Sequence, residues 1–196
     1  MLNYISPSLE NSLMEEYAGV KFRIEKLERE RWQEISKKYS KEIDWLIGLG
    51  KELKEKGFLK KKEGNISRRV EVGFLISATG TDLGALKKND IVLVKEFDFE
   101  NHALKRAAGL KEPSSETPLH WKVYNETDAE AIVHVHAFPK SKKIIPIVPV
   151  LPYGSKKLAQ EVSNALKKSS CCIAEGHGTF IRGEDFKKIL DILQKK

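Results

Sequence analysis

Residues 131–137 read Ala-Ile-Val-His-Val-His-Ala, an apolar and β-branched run that is typical of a buried β-strand. Side chains alternate between the two faces of a strand, so His134 and His136 point to the same face, about 7 Å apart along the chain. Two imidazoles on one rigid element can bind a single transition-metal ion, and neutral histidine nitrogen suits Zn²⁺. The alternative is a pair of half-buried histidines that hydrogen-bond to their neighbours. The segment therefore predicts a strand with a candidate metal site on one face.

The composition predicts one globular domain in the cytoplasm. The 196 residues are 40% hydrophobic and 32% charged, which allows a core and excludes a disordered chain. No apolar run reaches the roughly 20 residues of a membrane span, and the first residues lack the pattern of a secretory signal. Cys171 and Cys172 are adjacent in an apolar run, so we expect buried thiols in a reducing compartment and no membrane partner.

The charge balance favours an anionic ligand. The formal net charge is +7, from 35 basic and 28 acidic residues, which fits nucleic acid or a phosphorylated metabolite. The lysines are scattered in doublets without interleaved aromatic residues, and no nucleic-acid-binding motif is present. We therefore expect a lysine-rich solvated surface and no nucleic-acid partner.

The first part of the chain predicts helices. Over residues 9–39, apolar residues recur at alternating spacings of four and three and form one helical stripe: Leu13, Tyr17, Val20, Ile24 and Leu27. A second helix is predicted over residues 41–56, with Gly57 as its stop signal.

After residue 57 the pattern changes to short strands separated by glycine- and lysine-bearing turns. Predicted strands cover residues 65–69, 73–78, 90–95, 131–137 and 170–175, and predicted helices cover residues 116–125, 155–167 and 184–194. This pattern favours an α/β or α+β fold in which helices flank a central mixed sheet.

Two further motifs carry groups of the kind that a catalytic metal site uses. Residues 176–178 read Gly-His-Gly after an apolar strand, and the glycines allow a sharp turn that leaves His177 at the strand end. There His177 would complete a three-histidine site, or it is a surface histidine in a turn. Residues 113–116 read Pro-Ser-Ser-Glu and place two hydroxyls at a helix start, which suits a phosphate or an ordinary helix cap. Glu116 becomes a candidate general base if a metal is near.

Two small polar turns complete the set. Residues 64–67 read Gly-Asn-Ile-Ser, and residues 78–81 read Ala-Thr-Gly-Thr after a predicted strand. Alone, each is an ordinary turn. Together with the other motifs, each offers N–H and O–H donors to a ligand.

Taken in order, these motifs resemble the class II aldolase/adducin family, and most closely its L-fuculose-phosphate aldolase group. The resemblance rests on a set that runs along the chain: Gly64-Asn65-x-Ser67, Thr79-Gly80, Ser114-Ser115-Glu116-x-x-x-His120, His134-x-His136 and His177-Gly178. It implies an α/β fold of three layers, α/β/α, with a central, largely antiparallel or mixed sheet. It also implies a homotetramer with sites at subunit contacts. The family's usual start predicts an N-terminal helical extension over residues 1–40 and a class II aldolase/adducin-like domain over residues 41–196.

The same resemblance implies a role for each site residue. The three histidines, His134, His136 and His177, would bind one Zn²⁺ or a similar divalent ion per subunit. Glu116 would be the acid/base group. The substrate phosphate would be held by a set of small and polar residues: Asn65, Thr79, Gly80, Ser114 and Ser115.

One feature departs from the family pattern. In these aldolases a tyrosine in the proline-rich segment after the His-x-His strand reaches a neighbouring subunit's site. An ungapped match places Val150 there, whereas Tyr153 fits if the segment is shortened. We name Tyr153 as the expected proton donor to the departing aldehyde.

Three functions follow from the resemblance. The first is a metal-dependent aldolase that reversibly cleaves a ketose 1-phosphate to dihydroxyacetone phosphate and an aldehyde, with a phosphorylated sugar as substrate. The second is a sugar-phosphate dehydratase similar to methylthioribulose-1-phosphate dehydratase. The third is a non-catalytic, adducin-like scaffold, against which the complete set of three histidines and Glu116 weighs.

Overall fold

One β-sheet organises the part of the protein that the structure describes. The structure, a computed structural model, describes residues 20–60, 62–139 and 145–194. Its strands are β1 (Arg23–Ile24), β2 (Asn65–Val70), β3 (Gly73–Ser77), β4 (Ile91–Asp98), β5 (Ala103–Ala108), β6 (Ala131–Val135), β7 (Ile147–Val148), β8 (Cys171–Ala174) and β9 (Gly178–Gly183). Its helices are α1 (Trp32–Lys38), α2 (Ser40–Glu55), α3 (Thr117–Glu126), α4 (Lys156–Lys168) and α5 (Phe186–Gln194).

The sheet is mixed and largely antiparallel. The nine strands lie in the order β1-β5-β4-β3-β2-β6-β9-β8-β7. Neighbouring strands are antiparallel except at the two edges, where β1 pairs with β5 and β7 pairs with β8 in parallel. This arrangement confirms the central sheet expected from the sequence.

Two apolar cores, one on each face of the sheet, give the molecule three layers. Helices α1, α2 and α5 pack on one face, where Leu46 is fully buried against strand residues such as Val133. Helices α3 and α4 pack on the other face, where Val123 is fully buried in the same cluster as Ile132. Because side chains alternate along β6, His134 shares the face of Ile132 and points towards the α3 side. The three-layer α/β/α prediction is confirmed.

Most predicted elements are present. Helices α2, α3 and α4 begin and end within one residue of the predicted bounds. Strand β6 ends at Val135, two residues before the predicted end, so that His136 lies beyond it. Cys171 and Cys172 are buried free thiols, as expected, and burial raises the pKa of Cys171 to about 12. Within the described ranges, no helix is both long enough and apolar enough to cross a membrane.

The helical region predicted over residues 9–39 is confirmed only at its end, where α1 lies, and its apolar stripe is wrong in the described part. Leu13 and Tyr17 lie outside the described residues. The later members of the stripe precede α1 and lie in no helix, because β1 pairs in parallel with β5 and Leu27 forms a bridge with Ala107. Main-chain hydrogen bonds to a distant strand override the helical spacing here. Strands β5 and β9 had no predicted counterpart, and the domain boundary at residue 40 stays a prediction.

Candidate active site

Three histidines from two neighbouring strands converge at one end of the sheet. His134 lies on β6, His136 follows β6, and His177 lies in the turn between β8 and β9. One ligand atom from each imidazole lies within 4.8 Å of the others. The ring centroid of His134 lies 5.0 Å from that of His136 and 4.6 Å from that of His177. The structure therefore brings together the three residues that the sequence singled out as metal ligands.

Glycine at position 178 allows His177 to lie this close to the other rings. Gly178 has φ 154°, and a Cβ added there would contact the Val135 carbonyl and lie 3.0 Å from Cε1 of His134. The preceding Gly176 has φ 69°, in the left-handed region that favours glycine. A side chain at position 178 would push the turn away from β6 and take His177 with it.

The main chain of β9 fixes the tautomer of His134. Its Nδ1 lies 3.2 Å from the carbonyl oxygen of Thr179, which can only accept, so Nδ1 donates. Burial lowers the pKa of His134 to about 3, although Glu116 opposes the shift, so the imidazole is neutral near pH 7. Its Nε2 therefore carries a lone pair, and this atom has no hydrogen-bond partner among the described residues.

Glu116 places a buried carboxylate against the histidines. It immediately precedes α3, and its side chain makes no capping hydrogen bond to the helix. Its Oε2 accepts a hydrogen bond of 2.7 Å from Nδ2 of Asn65 and lies 3.6 Å from Nε2 of His134. Its Oε1 lies 3.1 Å from Nε2 of His177. Burial opposes the charge, but His134, His177 and Asn65 together hold the pKa of Glu116 below its usual range.

This donor set fits a divalent cation. In the described part of the chain, the buried Nε2 of His134 has no hydrogen-bond partner, and the buried Oε1 of Glu116 has only the 3.1 Å contact with Nε2 of His177. Buried polar atoms without partners are costly unless something else satisfies them. A lone-pair nitrogen and an anionic oxygen are both satisfied by a cation, and neutral imidazole is a preferred ligand of Zn²⁺.

The histidines open into a cavity of about 240 Å³. Every residue that the sequence predicted for the site lines this cavity: Asn65, Thr79, Gly80, Ser114, Ser115, Glu116, His134, His136, Tyr153 and His177. Residues from loops far apart in the chain thus meet around one space, as the resemblance implied.

Two polar turns, residues 78–81 and 113–116, form the side of the cavity that is predicted to hold phosphate. The main chain joins them, because Ala78 forms a bridge with Pro113 and the Ser114 N–H donates to the Ser77 carbonyl at 3.1 Å. Gly80 has φ 68°, and a Cβ there would meet nothing within 4 Å, so its backbone faces open space. Because the Thr79 N–H also donates to a main-chain carbonyl, that of Glu112 at 3.0 Å, these turns offer a ligand the backbone at Gly80 and the hydroxyls of Thr79, Ser114 and Ser115.

The predicted cap of α3 needs a correction. The sequence offered Ser114 and Ser115 as the cap, whereas the structure places Glu116 at the N-cap position. The Ser114 hydroxyl instead accepts a hydrogen bond of 3.3 Å from the Glu116 N–H, and the Ser114 carbonyl accepts one of 2.7 Å from the Thr117 hydroxyl. The two serines therefore shape the loop that presents Glu116 to the cavity.

Tyr153 lines the cavity of its own subunit. Its ring centroid lies 6.0 Å from that of His177, and its main-chain carbonyl accepts a hydrogen bond of 2.9 Å from the Val20 N–H. The next residue, Gly154, approaches so closely that an added Cβ would lie 3.2 Å from the Ser115 carbonyl. The proline-rich segment therefore closes against the loop before α3.

Two cavity residues lie outside the motifs that the sequence singled out: Lys62 and Glu63. Glu63 is the more informative, because its Oε2 is 3.8 Å from Nδ1 of His136. Lys62 adds an exposed positive charge, with φ 60° in the left-handed region. The sequence marks Lys62 and Glu63 only by their position, because both directly precede the Gly64-Asn65 turn.

Comparison with known proteins shows which family this chain resembles in sequence. The sequence profile described as "Class II Aldolase and Adducin N-terminal domain" matches residues 45–139. The chain is 31% identical over 154 residues to L-fuculose phosphate aldolase of Haemophilus influenzae, covering 67% of this chain and 68% of that protein. It is 27% identical over 172 residues to 3-oxo-tetronate 4-phosphate decarboxylase of the same organism, covering 74% and 79%.

Two further similarities extend the comparison. Methylthioribulose-1-phosphate dehydratase of Pseudoalteromonas translucida is 34% identical over 96 residues, covering 48% of this chain and 43% of that protein. The crystal structure of l-fuculose-1-phosphate aldolase from Thermus thermophilus superposes with a TM-score of 0.62 at 22% identity, covering 79% of this chain and 86% of that one. The superposition supports the same fold.

Proposed function

Since the chain belongs to the class II aldolase and adducin family, we propose that it is a divalent-metal-dependent lyase acting on a phosphorylated sugar. Within that class, we propose an aldolase that reversibly cleaves a ketose 1-phosphate, similar to fuculose phosphate, to dihydroxyacetone phosphate and an aldehyde. The observation that carries the proposal is the meeting of the three histidines and the buried carboxylate of Glu116 beside a polar cavity.

We assign the metal to His134, His136 and His177, with one Zn²⁺ or another divalent ion per subunit. When bound, the ion supplies Lewis acidity to the carbonyl and hydroxyl oxygens of the substrate. Three protein ligands are the number found in catalytic zinc sites, which keep a position open for substrate. The buried Nε2 of His134, which has no hydrogen-bond partner among the described residues, supports the assignment.

Glu116 is the proposed acid/base group. Its pKa lies below the usual range, so it is a carboxylate near neutral pH and can accept a proton. In the direction of synthesis it takes the proton from the carbon next to the carbonyl of dihydroxyacetone phosphate, and in cleavage it returns that proton. The Asn65 amide holds Oε2, which leaves Oε1 as the oxygen for proton transfer.

Tyr153 is the proposed partner for the aldehyde oxygen. In synthesis its hydroxyl donates a proton to that oxygen as the new hydroxyl forms, and in cleavage it accepts the proton back. Its place in the cavity, with the ring centroid 6.0 Å from that of His177, supports this role within one subunit.

The substrate phosphate is proposed to lie against a cradle of neutral donors: Asn65, Thr79, Gly80, Ser114 and Ser115. Main-chain N–H groups and hydroxyls can hold an anion without arginine. The exposed Lys62 at the rim of the same cavity supplies a positive charge. A phosphorylated ligand therefore finds both hydrogen-bond donors and a favourable potential.

A dehydratase is the second candidate, favoured by the similarity to methylthioribulose-1-phosphate dehydratase. The similarity to 3-oxo-tetronate 4-phosphate decarboxylase makes loss of carbon dioxide a third candidate reaction. In each of these reactions the proposed metal ligands and phosphate-binding residues would keep their roles, and a different bond of the substrate would break. The adducin-like scaffold receives no support from the geometry, since the whole set of proposed ligands lines the cavity.

We propose a homotetramer as the working assembly. Among the described residues, Phe138, Ile147 and Val150 expose 56%, 70% and 59% of their surface although each is a large apolar side chain. Val150 lies near the site, because a Cβ added at Gly176 would be 3.7 Å from it. Apolar residues exposed beside a site are typical of a surface that another subunit covers.

The deciding experiment combines metal analysis with a product screen. We expect one divalent ion per chain, and release of dihydroxyacetone phosphate from at least one of a set of ketose 1-phosphates. A product lighter than the substrate by one water would favour the dehydratase, and loss of carbon dioxide from a phosphorylated acid would favour the decarboxylase. Purified protein without metal, or without any of these activities, contradicts the proposal. Light scattering measures the number of subunits.

A further inference from the structure

A chain of five buried polar side chains leads from the interior of the fold to Glu116. The hydroxyls of Tyr124 and Ser67 are 2.7 Å apart, and Oγ of Ser67 lies 2.6 Å from Nδ1 of His120. Nε2 of His120 lies 2.6 Å from Oδ1 of Asn65, whose Nδ2 donates to Oε2 of Glu116 at 2.7 Å. All five side chains are buried. Three of them, His120, Ser67 and Tyr124, have no role in the proposed reaction.

The donor and acceptor of every hydrogen bond in this chain follow from the Glu116 carboxylate and the neutral ring of His120. The Glu116 carboxylate only accepts, so Asn65 presents its NH₂ to Glu116 and its carbonyl oxygen to His120. That oxygen also only accepts, so Nε2 of His120 carries the proton. Since burial lowers the pKa of His120 to about 4, the ring is neutral and its Nδ1 accepts from Ser67. The Ser67 oxygen then accepts from the Tyr124 hydroxyl.

We propose that His120 is a positioning residue, which Ser67 and Tyr124 hold in its Nε2–H tautomer so that the Asn65 amide has a single orientation towards Glu116. This inference rests on the proposed function. A reversed Asn65 amide would turn its carbonyl oxygen towards the carboxylate, which is repulsive and leaves a buried oxygen unpaired. The ordered chain instead keeps Oε2 bonded to Asn65 and directs Oε1 towards His177, as the oxygen for proton transfer.

A merely structural role is the competing explanation. The chain satisfies five buried polar groups between β2 and α3, and this alone stabilises the fold. A structural role predicts that changes in the chain lower stability without lowering turnover by the folded molecules. A positioning role predicts a fall in kcat that is larger than any change in KM, because the other four proposed phosphate contacts, at Thr79, Gly80, Ser114 and Ser115, remain.

The tautomer is measurable without substrate. In the purified protein with ¹⁵N-labelled histidine, we expect the His120 ring at pH 7 to show a protonated Nε2 and an unprotonated Nδ1. The sequence contains 5 histidines, so the spectrum is simple, and loss of one signal set in the His120→Gln variant identifies the residue. A protonated Nδ1, or a doubly protonated ring, overturns the proposal.

Two substitutions at position 120 separate positioning from packing. His120→Leu removes both the donor and the acceptor, and we expect kcat to fall about 10- to 100-fold with KM within about twofold and metal content unchanged. His120→Gln keeps one donor and one acceptor, and we expect it to recover most of the lost kcat. Equal losses in both variants contradict the proposal.

A matched pair of serine variants controls for stability. Ser67→Ala breaks the chain, whereas Ser163→Ala removes another buried hydroxyl, one on α4 that donates to Glu126 at 2.7 Å. We expect both to lower the urea concentration at the midpoint of unfolding by similar amounts, and only Ser67→Ala to lower kcat. Wild-type kcat in folded, metal-loaded Ser67→Ala and His120→Leu overturns the proposal. If the wild type turns over no sugar phosphate, the proposed function is wrong. The tautomer of His120 then still tests the proposed direction of the hydrogen bonds from Tyr124 to Glu116.

Discussion

His134 donates from Nδ1 to the Thr179 carbonyl, 3.2 Å away across the β6–β9 pair. A carbonyl has no proton to give, so this contact alone decides which nitrogen of His134 keeps its lone pair. The sheet therefore selects the tautomer that the proposed metal site requires, and Nε2 faces the Glu116 carboxylate at 3.6 Å. The following predictions test this arrangement.

Glu116→Gln tests the acid/base assignment. Glutamine keeps the size of the side chain and removes its charge, so we expect turnover to fall by roughly 10²–10⁴ while the metal stays bound. The measurements are kcat for the cleaved sugar phosphate and metal content by mass spectrometry. Glu126→Gln, the same change at the far end of α3, serves as control and should leave kcat unchanged. Wild-type turnover in Glu116→Gln would mean that another group moves the proton.

His136→Ala tests the ligand set. Removal of one of three ligands should leave the purified protein with little zinc, because the remaining pair binds much more weakly. His102→Ala is the control, since that ring packs edge-on against Phe22 and Phe97 away from the cavity. We expect the control to retain its metal. One tightly held zinc per chain in His136→Ala would refute the assignment.

Glu63→Gln tests a contact that the sequence did not reveal. The Glu63 carboxylate lies 3.8 Å from Nδ1 of His136, where it can orient the ring and favour a proton on Nδ1. Loss of such a partner lowers metal affinity by about 10- to 100-fold, and we expect a fall at the lower end because the contact is long. Competition with a chelator measures the affinity, with the exposed Glu100→Gln as control. Equal affinities in the two variants would assign Glu63 no part in metal binding.

Glu126→Gln tests a pH-dependent link between α3 and α4. Burial alone would raise the pKa of Glu126, but hydrogen bonds from Lys167, Lys122 and Ser163 lower it to about 2. A group whose pKa is lowered on folding stabilises the protein above its ordinary pKa, and this stabilisation disappears as the pH falls. We expect the variant to be less stable by about 1 kcal/mol at pH 7.

The stability of the Glu126→Gln variant should differ from that of the wild type in a pH-dependent way. The stability difference between wild type and Glu126→Gln should persist down to about pH 5 and shrink as the pH falls from there towards 2. Urea unfolding at a series of pH values measures it. Glu96→Gln on β4 is the control, and its difference should stay near zero throughout. A Glu126 difference that does not change with pH would place its pKa at the ordinary value.

The parts of the fold that could be predicted are those governed by local patterns. Helix α2 follows apolar spacing that ends at a glycine, and β6 follows an unbroken β-branched run. Strand β1 could not be predicted in this way, because its two residues are extended only through pairing with β5, about 80 residues later. Strand β5 carries Lys105 and Arg106 among small residues, so no strong alternation marks it.

The same distinction between local patterns and distant contacts applies to the candidate site. His134, His136 and His177 stand in short motifs that resemble a known family, and the structure places them together. Glu63 and the orientation of His120 depend on contacts between side chains distant in sequence, which no spacing rule contains. The roles of all these residues stay predictions that the variants above test.

The sheet ends in very short strands. β1 and β7 have two residues each, and Pro146 and Pro149 flank β7 directly. Two-residue edge strands, of which β7 is also flanked by prolines, offer almost no template on which a foreign strand could extend the sheet from edge to edge. Contacts between side-chain surfaces are therefore the expected route for the proposed association of copies, rather than the addition of strands at these edges.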